Sequence, residues 1–145
     1  MPDEAEIYRR HAEEYARLVR REDYQGNILR ALEEIAPLAN RDVVELGAGT
    51  GRLTGLLAPR VRSIQVFDAS LHMLRAAARS LAQSGRRNWR LAAADHRWLP
   101  LPSGSADLAI SGWSIAYLKV WGGREWRGEV AKALAEMKRT CAPAA

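Results

Sequence analysis

The sequence contains a single cysteine, Cys141, near its end. One thiol makes no disulfide framework and no cysteine-based metal site, and its position argues against a nucleophile. No apolar run long enough for a secretion signal or a membrane span occurs in the first 30 residues, which read as polar and helical, so a cytoplasmic location is expected. No internal repeat or low-complexity tract is present, and no cluster of metal-ligating or nucleophile-base residues stands out, so no metal site is expected and no catalytic residue is assigned. Lysine is scarce, 3 against 19 arginines. The formal charge of +5 invites a nucleic-acid partner. The arginines, however, are spread over helices and a turn, alternate with acids in the first segment and lack interleaved aromatics, so a solvated basic surface is the better reading.

What is present begins with Val43-Val44-Glu45-Leu46-Gly47-Ala48-Gly49-Thr50-Gly51. A β-branched strand runs into a carboxylate and then into glycines at every second position, which permits a tight turn and leaves no Cβ between backbone and ligand. A helix with Leu53, Leu56 and Leu57 on its apolar face follows. The dinucleotide fingerprint G-x-G-x-x-G, counted from Gly47, would need glycine where Arg52 stands, which disfavours a nicotinamide-dependent oxidoreductase.

Three further stretches repeat the strand, turn and helix order. Ile64 to Asp68 reads as a strand ending in an acid, with Ala69 or, chemically better, Ser70 as the next helix's N-cap. Trp89 to Ala94 reads as a strand ending at Asp95 and His96. Residues 106–112 read as a fourth, followed by a helix over 124–139 with Trp126, Val130, Ala133, Leu134 and Met137 as its apolar face. Strand and helix alternating in this way predict an α/β fold with a parallel sheet and right-handed crossovers. At 145 residues the chain is one domain: a helical cap (1–39), a Rossmann-like core (40–139) and a tail (140–145).

The motif Glu45-x-Gly47-x-Gly49-x-Gly51, with acids after the second and third strands and the run Leu99-Pro100-Leu101-Pro102 to Asp107-Leu108, resembles the class I S-adenosylmethionine-dependent methyltransferases over roughly residues 5–139. The resemblance implies S-adenosyl-L-methionine as cofactor, bound by Gly47, Ala48, Gly49 and Gly51, with Asp68 on the ribose, Asp95 on the adenine amino group, Ala69 and His96 beside them, and Glu45 orienting the cofactor's amino group or capping the loop. His96 is expected to offer a backbone amide more than a catalytic base. Ile7-Tyr8, Ala12 and Tyr15 resemble a lid over the cofactor in small-molecule members of the family, although Ala16 follows Tyr15 where an Asp is usual.

Residues 3–36 read as two helices joined near Glu22 to Gly26, with Tyr8, Ala12, Tyr15 and Leu18 facing inward from the first and Ile28, Leu29, Leu32 and Ile35 from the second. Trp113, Tyr117, Trp121 and Trp126 cluster where the family meets its methyl acceptor; Trp113 is the pocket candidate and Trp126 a core residue. The family's sheet has seven strands, and only four are found, so the fold is expected to stop after the fourth strand and its helix. Back-translated with GC-rich codons, residues 140–145 hide Leu-Arg-Pro-Gly-Gly out of frame, the turn expected before a fifth strand. The tail is thus read as aberrant, and the fourth strand as an exposed edge through which the chain could form oligomers. The expected function is methyl transfer to a small-molecule acceptor, with a non-catalytic S-adenosylmethionine-binding fragment as the alternative.

Overall fold

The computed structural model describes Glu6, Ile7 and residues 10–143. Tyr8 lies outside the described residues. The elements run α1 (Ala12–Val19), α2 (Asn27–Ile35), β1 (Asp42–Leu46), α3 (Arg52–Leu57), β2 (Ser63–Asp68), α4 (Leu71–Gln83), β3 (Trp89–Ala93), β4 (Leu108–Ser111), α5 (Ala116–Trp121), a 3₁₀ turn (Gly123–Glu125) and α6 (Trp126–Thr140). The four strands form one sheet in the order β3-β2-β1-β4, all parallel. β1 is central, with Glu45 paired to Val66 on one side and Ile110 on the other. Because the chain builds outward from β1 to β2 and β3 and then jumps across to β4, the crevice at the strands' C-terminal ends opens where the order reverses, the place at which open parallel sheets bind ligands.

The sheet is covered on both faces, as the near-continuous apolar runs of its strands require. Val43, Ile64 and Val66 join Leu53 and Leu57 of α3, with Ile28, Leu29 and Leu32 of α2 packed against them. Val44, Leu46 and Phe67 face the other way with Leu99 and Ala106, against Met137 of α6. Each of these buried aliphatic side chains contributes about 1.5–3 kcal/mol relative to exposure. At the N-terminal ends of the strands, Asp42 accepts hydrogen bonds from Arg62 Nε and Ser63 Oγ at 2.9 and 2.7 Å, and these hold its carboxyl down at about 2.

Several expected apolar faces shift by one position. In α1 the buried residues are Ala12, Ala16 and Val19, while Leu18 is 64% exposed. Ile35 is 81% exposed at the last turn of α2, and on α6 Leu134 is exposed while Ala133, as expected, and Thr140 are buried. Trp126 is half-buried between the cations Lys119 and Arg127, not part of the core. The fourth strand is shorter than expected, and Ala106 forms an isolated parallel bridge with Cys141. Ala106 N donates to Thr140 O at 3.0 Å, and Ala142 N to Ala106 O at 2.7 Å, so residues 140–142 lie along the start of β4. No helix among the described residues is long and apolar enough to cross a membrane.

Two interactions tie β1 to the helices that follow. Glu45, 1% exposed, accepts a hydrogen bond from Thr54 Oγ1 of α3 at 2.6 Å, and burial pushes its carboxyl up to about 7. Gly51 caps α3 with φ +82°, and a Cβ there would stand 3.0 Å from Ala77 Cβ of α4.

Gly51→Ala should therefore destabilise the fold by about 1–3 kcal/mol through left-handed strain and the squeeze against Ala77, lowering the melting temperature by several degrees; an unchanged melting curve would contradict this. The Glu45 carboxyl has a higher pKa folded than unfolded, so the native state holds a proton that the unfolded chain has released. Stability should fall as pH rises from about 4.5 to about 7 and level off above, a loss of up to about 3 kcal/mol. Glu45→Gln should remove this slope, raising stability at pH 8 more than at pH 4, as read by urea denaturation at both.

Candidate functional site

The glycine loop leaves β1 at Leu46 and is held by backbone bonds to the neighbouring strand. Gly47 N and Ala48 N both donate to Phe67 O, at 2.8 and 3.1 Å. Gly49 N donates to Asp68 Oδ2 at 2.8 Å, while Ser70 N donates to Asp68 Oδ1 at 2.7 Å. Asp68 is 8% exposed, and its carboxylate thus joins the loop to the start of α4. Ser70 is the N-cap of α4, its hydroxyl accepting from Met73 N at 3.3 Å, and Ala69 lies between the acid and the cap. Gly47 has φ +67°, and a Cβ there would come within 2.1 Å of Ser114 and 2.7 Å of His96 Nε2. Only glycine allows the loop following β4 to close on the loop following β1.

That closure carries a buried polar network. The Ser114 hydroxyl lies within hydrogen-bond reach of Leu46 O at 3.1 Å, Ser111 Oγ at 2.7 Å and His96 Nε2 at 2.8 Å. Burial lowers the imidazole's pKa, partly offset by the negative charges of Asp68 and Asp95. Asp95 is clamped by Arg97: Nε donates to Oδ1 at 2.8 Å, NH2 to Oδ2 at 2.7 Å, and the Arg97 amide to Oδ1 at 2.9 Å. This bidentate pair holds the carboxyl below its ordinary range, and Arg97 also pairs with Glu129 of α6.

The helical cap closes the other side. Tyr15 packs with Ala12 of α1 against Met73 and Ala76 of α4, and its ring is the group nearest to a Cβ built on Gly49, at 3.8 Å. Arg52, the residue that stands in place of the fingerprint's third glycine, donates to Val19 O at 3.1 Å, pairs with Glu22, and lies 4.4 Å from the centre of the Trp113 ring. Trp113 itself is 61% exposed with φ +61°, a left-handed conformation rare for a bulky residue.

Two cavities result. One, about 370 Å³, lies between cap and glycine loop and is lined by Tyr15, Glu45, Gly49, Arg52 and Trp113 among others. The other, about 600 Å³, is lined by Asp68, Ala69, Asp95, His96, Leu118 and Trp121. They share Gly47, Ser114 and Tyr117, and Tyr117 stacks on Trp121 with centroids 4.9 Å apart. Nine of the ten residues expected at a cofactor site thus line one or both cavities at one end of the sheet, whereas Gly51 lines neither and serves as the N-cap of α3. Sequence reading missed Ser114, Arg97 and the Arg52 clamp. Arg97 had a signal in its position two residues after Asp95; Ser114 had none, because apart from Ser111 its partners are 18 and 68 residues away.

A family profile described as a methyltransferase domain matches residues 43–144. The malonyl-(acyl-carrier protein) O-methyltransferase of Marinomonas sp. is 36% identical over 98 residues, covering 66% of this chain and 36% of that one. Phosphoethanolamine N-methyltransferase 1 of Caenorhabditis elegans is 32% identical over 87 residues, 60% of this chain and 18% of that one. Among solved structures, the Haemonchus contortus phosphoethanolamine N-methyltransferase 1 in complex with phosphoethanolamine and S-adenosylhomocysteine has a TM-score of 0.64 at 25% identity, over 77% of this chain and 22% of that one. A Methanococcus maripaludis protein provisionally assigned as an S-adenosyl-L-methionine-dependent methyltransferase shares the fold over 98% of this chain and 63% of its own, with a TM-score of 0.78 at 19% identity. The chain spans little more than a third of the length of the malonyl-(acyl-carrier protein) relatives it matches. It belongs to the methyltransferase-domain family and has the fold of the class I S-adenosylmethionine-dependent methyltransferases.

Proposed function

We propose that the protein transfers a methyl group from S-adenosylmethionine to a small-molecule acceptor. The observation that carries the reading is the joining of a glycine loop, tied by the Gly49 amide to the Asp68 carboxylate, to two cavities that meet at Gly47, Ser114 and Tyr117. A sulfonium cofactor is long and has a nucleoside at one end and an amino acid at the other, and two adjoining chambers of unlike chemistry suit it. The residues present fit the group. Each Asp68 oxygen takes one backbone N–H and keeps acceptor capacity for a ribose diol. Asp95, anchored by Arg97, retains lone pairs for an adenine amino group, and Leu71, Leu118 and Trp121 supply apolar walls beside it. Gly47, Ala48 and Gly49 would lie under the amino-acid end, with Glu45 beneath them.

When bound, the cofactor supplies an electrophilic methyl group whose leaving thioether is neutral. This chain's contribution is then chiefly alignment, which can lower a barrier by about 7–11 kcal/mol in the best cases. Tyr15, Trp113 and the Arg52 clamp keep water from the loop side, while Tyr117 stands where the chambers join and the acceptor would approach. No residue is assigned as a base; one is required only if the acceptor must lose a proton. The names of the relatives point to acceptors that are small or presented on a carrier, which supports the class and leaves the individual acceptor open. A nicotinamide dinucleotide fits less well, since Arg52 is committed to Val19, Glu22 and Trp113 where that site needs glycine. We also propose that β4, an edge of the described sheet with half-buried Leu108 and Ile110, pairs with a second copy.

S-adenosylhomocysteine should bind and raise the melting temperature, whereas NAD should not. Asp68→Ala should weaken S-adenosylhomocysteine binding by about tenfold or more, the loss of charge-assisted hydrogen bonds on the order of 1.5–3 kcal/mol. Calorimetry giving equal affinities for a folded variant and the parent would remove Asp68 from the site. Light scattering should find a dimer or larger species, and a stable monomer at high concentration would rule out pairing through β4.

A further inference from the structure

A third concavity, about 380 Å³, lies between α1 and α4 and adjoins the first cavity at Thr50, which lines both; its other lining residues take no part in the cofactor reading above. Its rim carries Arg17 of α1, Arg20 just after α1, and Arg79 of α4 facing them, with Ser80 and Gln83 beside Arg79. Glu13 is the one acid in its lining, so three guanidiniums against one carboxylate leave a net +2. Glu13 is engaged by Arg79, whose NH2 donates to Oε1 at 3.2 Å. Of the other acids on or beside α1, Glu14 pairs with His11 and Glu22 with Arg52. Arg17 and Arg20 accordingly have no carboxylate within 4.0 Å among the described residues, although arginines elsewhere in the fold are matched to acids, such as Arg62 to Asp42 and Arg139 to Glu136.

Beneath the rim, the groove is lined by Ala16, Ala76 and Thr50. Thr50 is 7% exposed and offers its hydroxyl, which is not among the orphaned buried polar atoms, to the floor of the groove. Small residues below, a hydroxyl donor at depth and planar five-donor guanidiniums at the mouth make a receptor for a compact, multiply charged oxyanion. A carboxylate would satisfy one guanidinium; a phosphate has oxygens enough for two and for Thr50 as well.

We propose that this groove is a binding subsite for a phosphate ester or diphosphate group, held by Arg17, Arg20 and Arg79 over Thr50. A second carboxylate-bearing protein surface is the poorer fit, because the three arginines line one recess of small-molecule size. The inference stands apart from the methyl-transfer reading, since it needs no cofactor. The phosphate could belong to a free metabolite or to the phosphopantetheine arm of a carrier.

Isothermal titration of the whole chain with inorganic pyrophosphate, at fixed physiological ionic strength, tests it. Saturable one-site binding is expected, weakened about tenfold or more in the double variant Arg17→Gln/Arg20→Gln. The charge-matched double variant Arg86→Gln/Arg87→Gln, at the turn before β3, should bind as the parent does. Glycerol phosphate and coenzyme A then separate the two sources: tighter binding of coenzyme A than of pyrophosphate favours the carrier arm, and comparable or tighter binding of glycerol phosphate a free metabolite. The absence of saturable binding, or equal weakening in the two double variants, would overturn the proposal and leave a solvated basic surface. Both double variants should bind S-adenosylhomocysteine like the parent, so a failure here is distinguishable from a failure of the cofactor reading.

Discussion

The hydrogen bond from Gly49 N to the Asp68 carboxylate is the contact on which the site depends. It joins the loop after β1 to the end of β2, and the same carboxylate takes the amide of Ser70, which starts α4. Three chain segments are thereby fixed by one buried anion whose desolvation is offset by two backbone donors. The adjoining bonds from Gly47 N and Ala48 N to Phe67 O hold the loop against β2 over its whole first half. Gly47 in turn leaves room for Ser114, so the loop after β4 is located by the same arrangement.

The two ends of the sheet illustrate different uses of charge. At the N-terminal ends, Asp42 is paired with Arg62 and Ser63 at the surface, an arrangement that pins strand ends and has little left to offer a ligand. At the C-terminal ends, Glu45 is buried with a single hydroxyl partner, and Asp68 is buried with backbone donors only. These groups keep their acceptor capacity beside open space. Arg97 is intermediate, since it neutralises Asp95 and reaches Glu129 of α6, which connects the site to the last helix.

Much of the fold was readable from the chain. The positions of all four strands, their parallel pairing and the Ser70 cap followed from local apolar periodicity and from turn chemistry. Helix faces were less legible. Leu18, Ile35 and Leu134 have the right spacing for burial and are exposed, because which stripe of a short helix turns inward is set by the crossing of neighbouring elements, and small residues such as Ala16 and Ala133 fit closer contacts than leucine does. Trp126 failed for a related reason: its ring is held by Lys119 and Arg127 at the edge of α6 and does not reach the sheet.

The sequence by itself determined where a ligand could sit, because glycine spacing and acids at strand ends are local features that a parallel sheet brings to one edge. Only the tertiary structure decided how these groups are held and what surrounds them. Asp95 became an anchored ion pair, His96 acquired Ser114 as the partner of its Nε2, and Arg52, first notable as a missing glycine, became the clamp between cap and loop. The physical reason is separation along the chain: hydrogen bonds and ring contacts act over a few ångströms, and partners such as Ser114 and Leu46, 68 residues apart, become neighbours only when β1 and β4 pair.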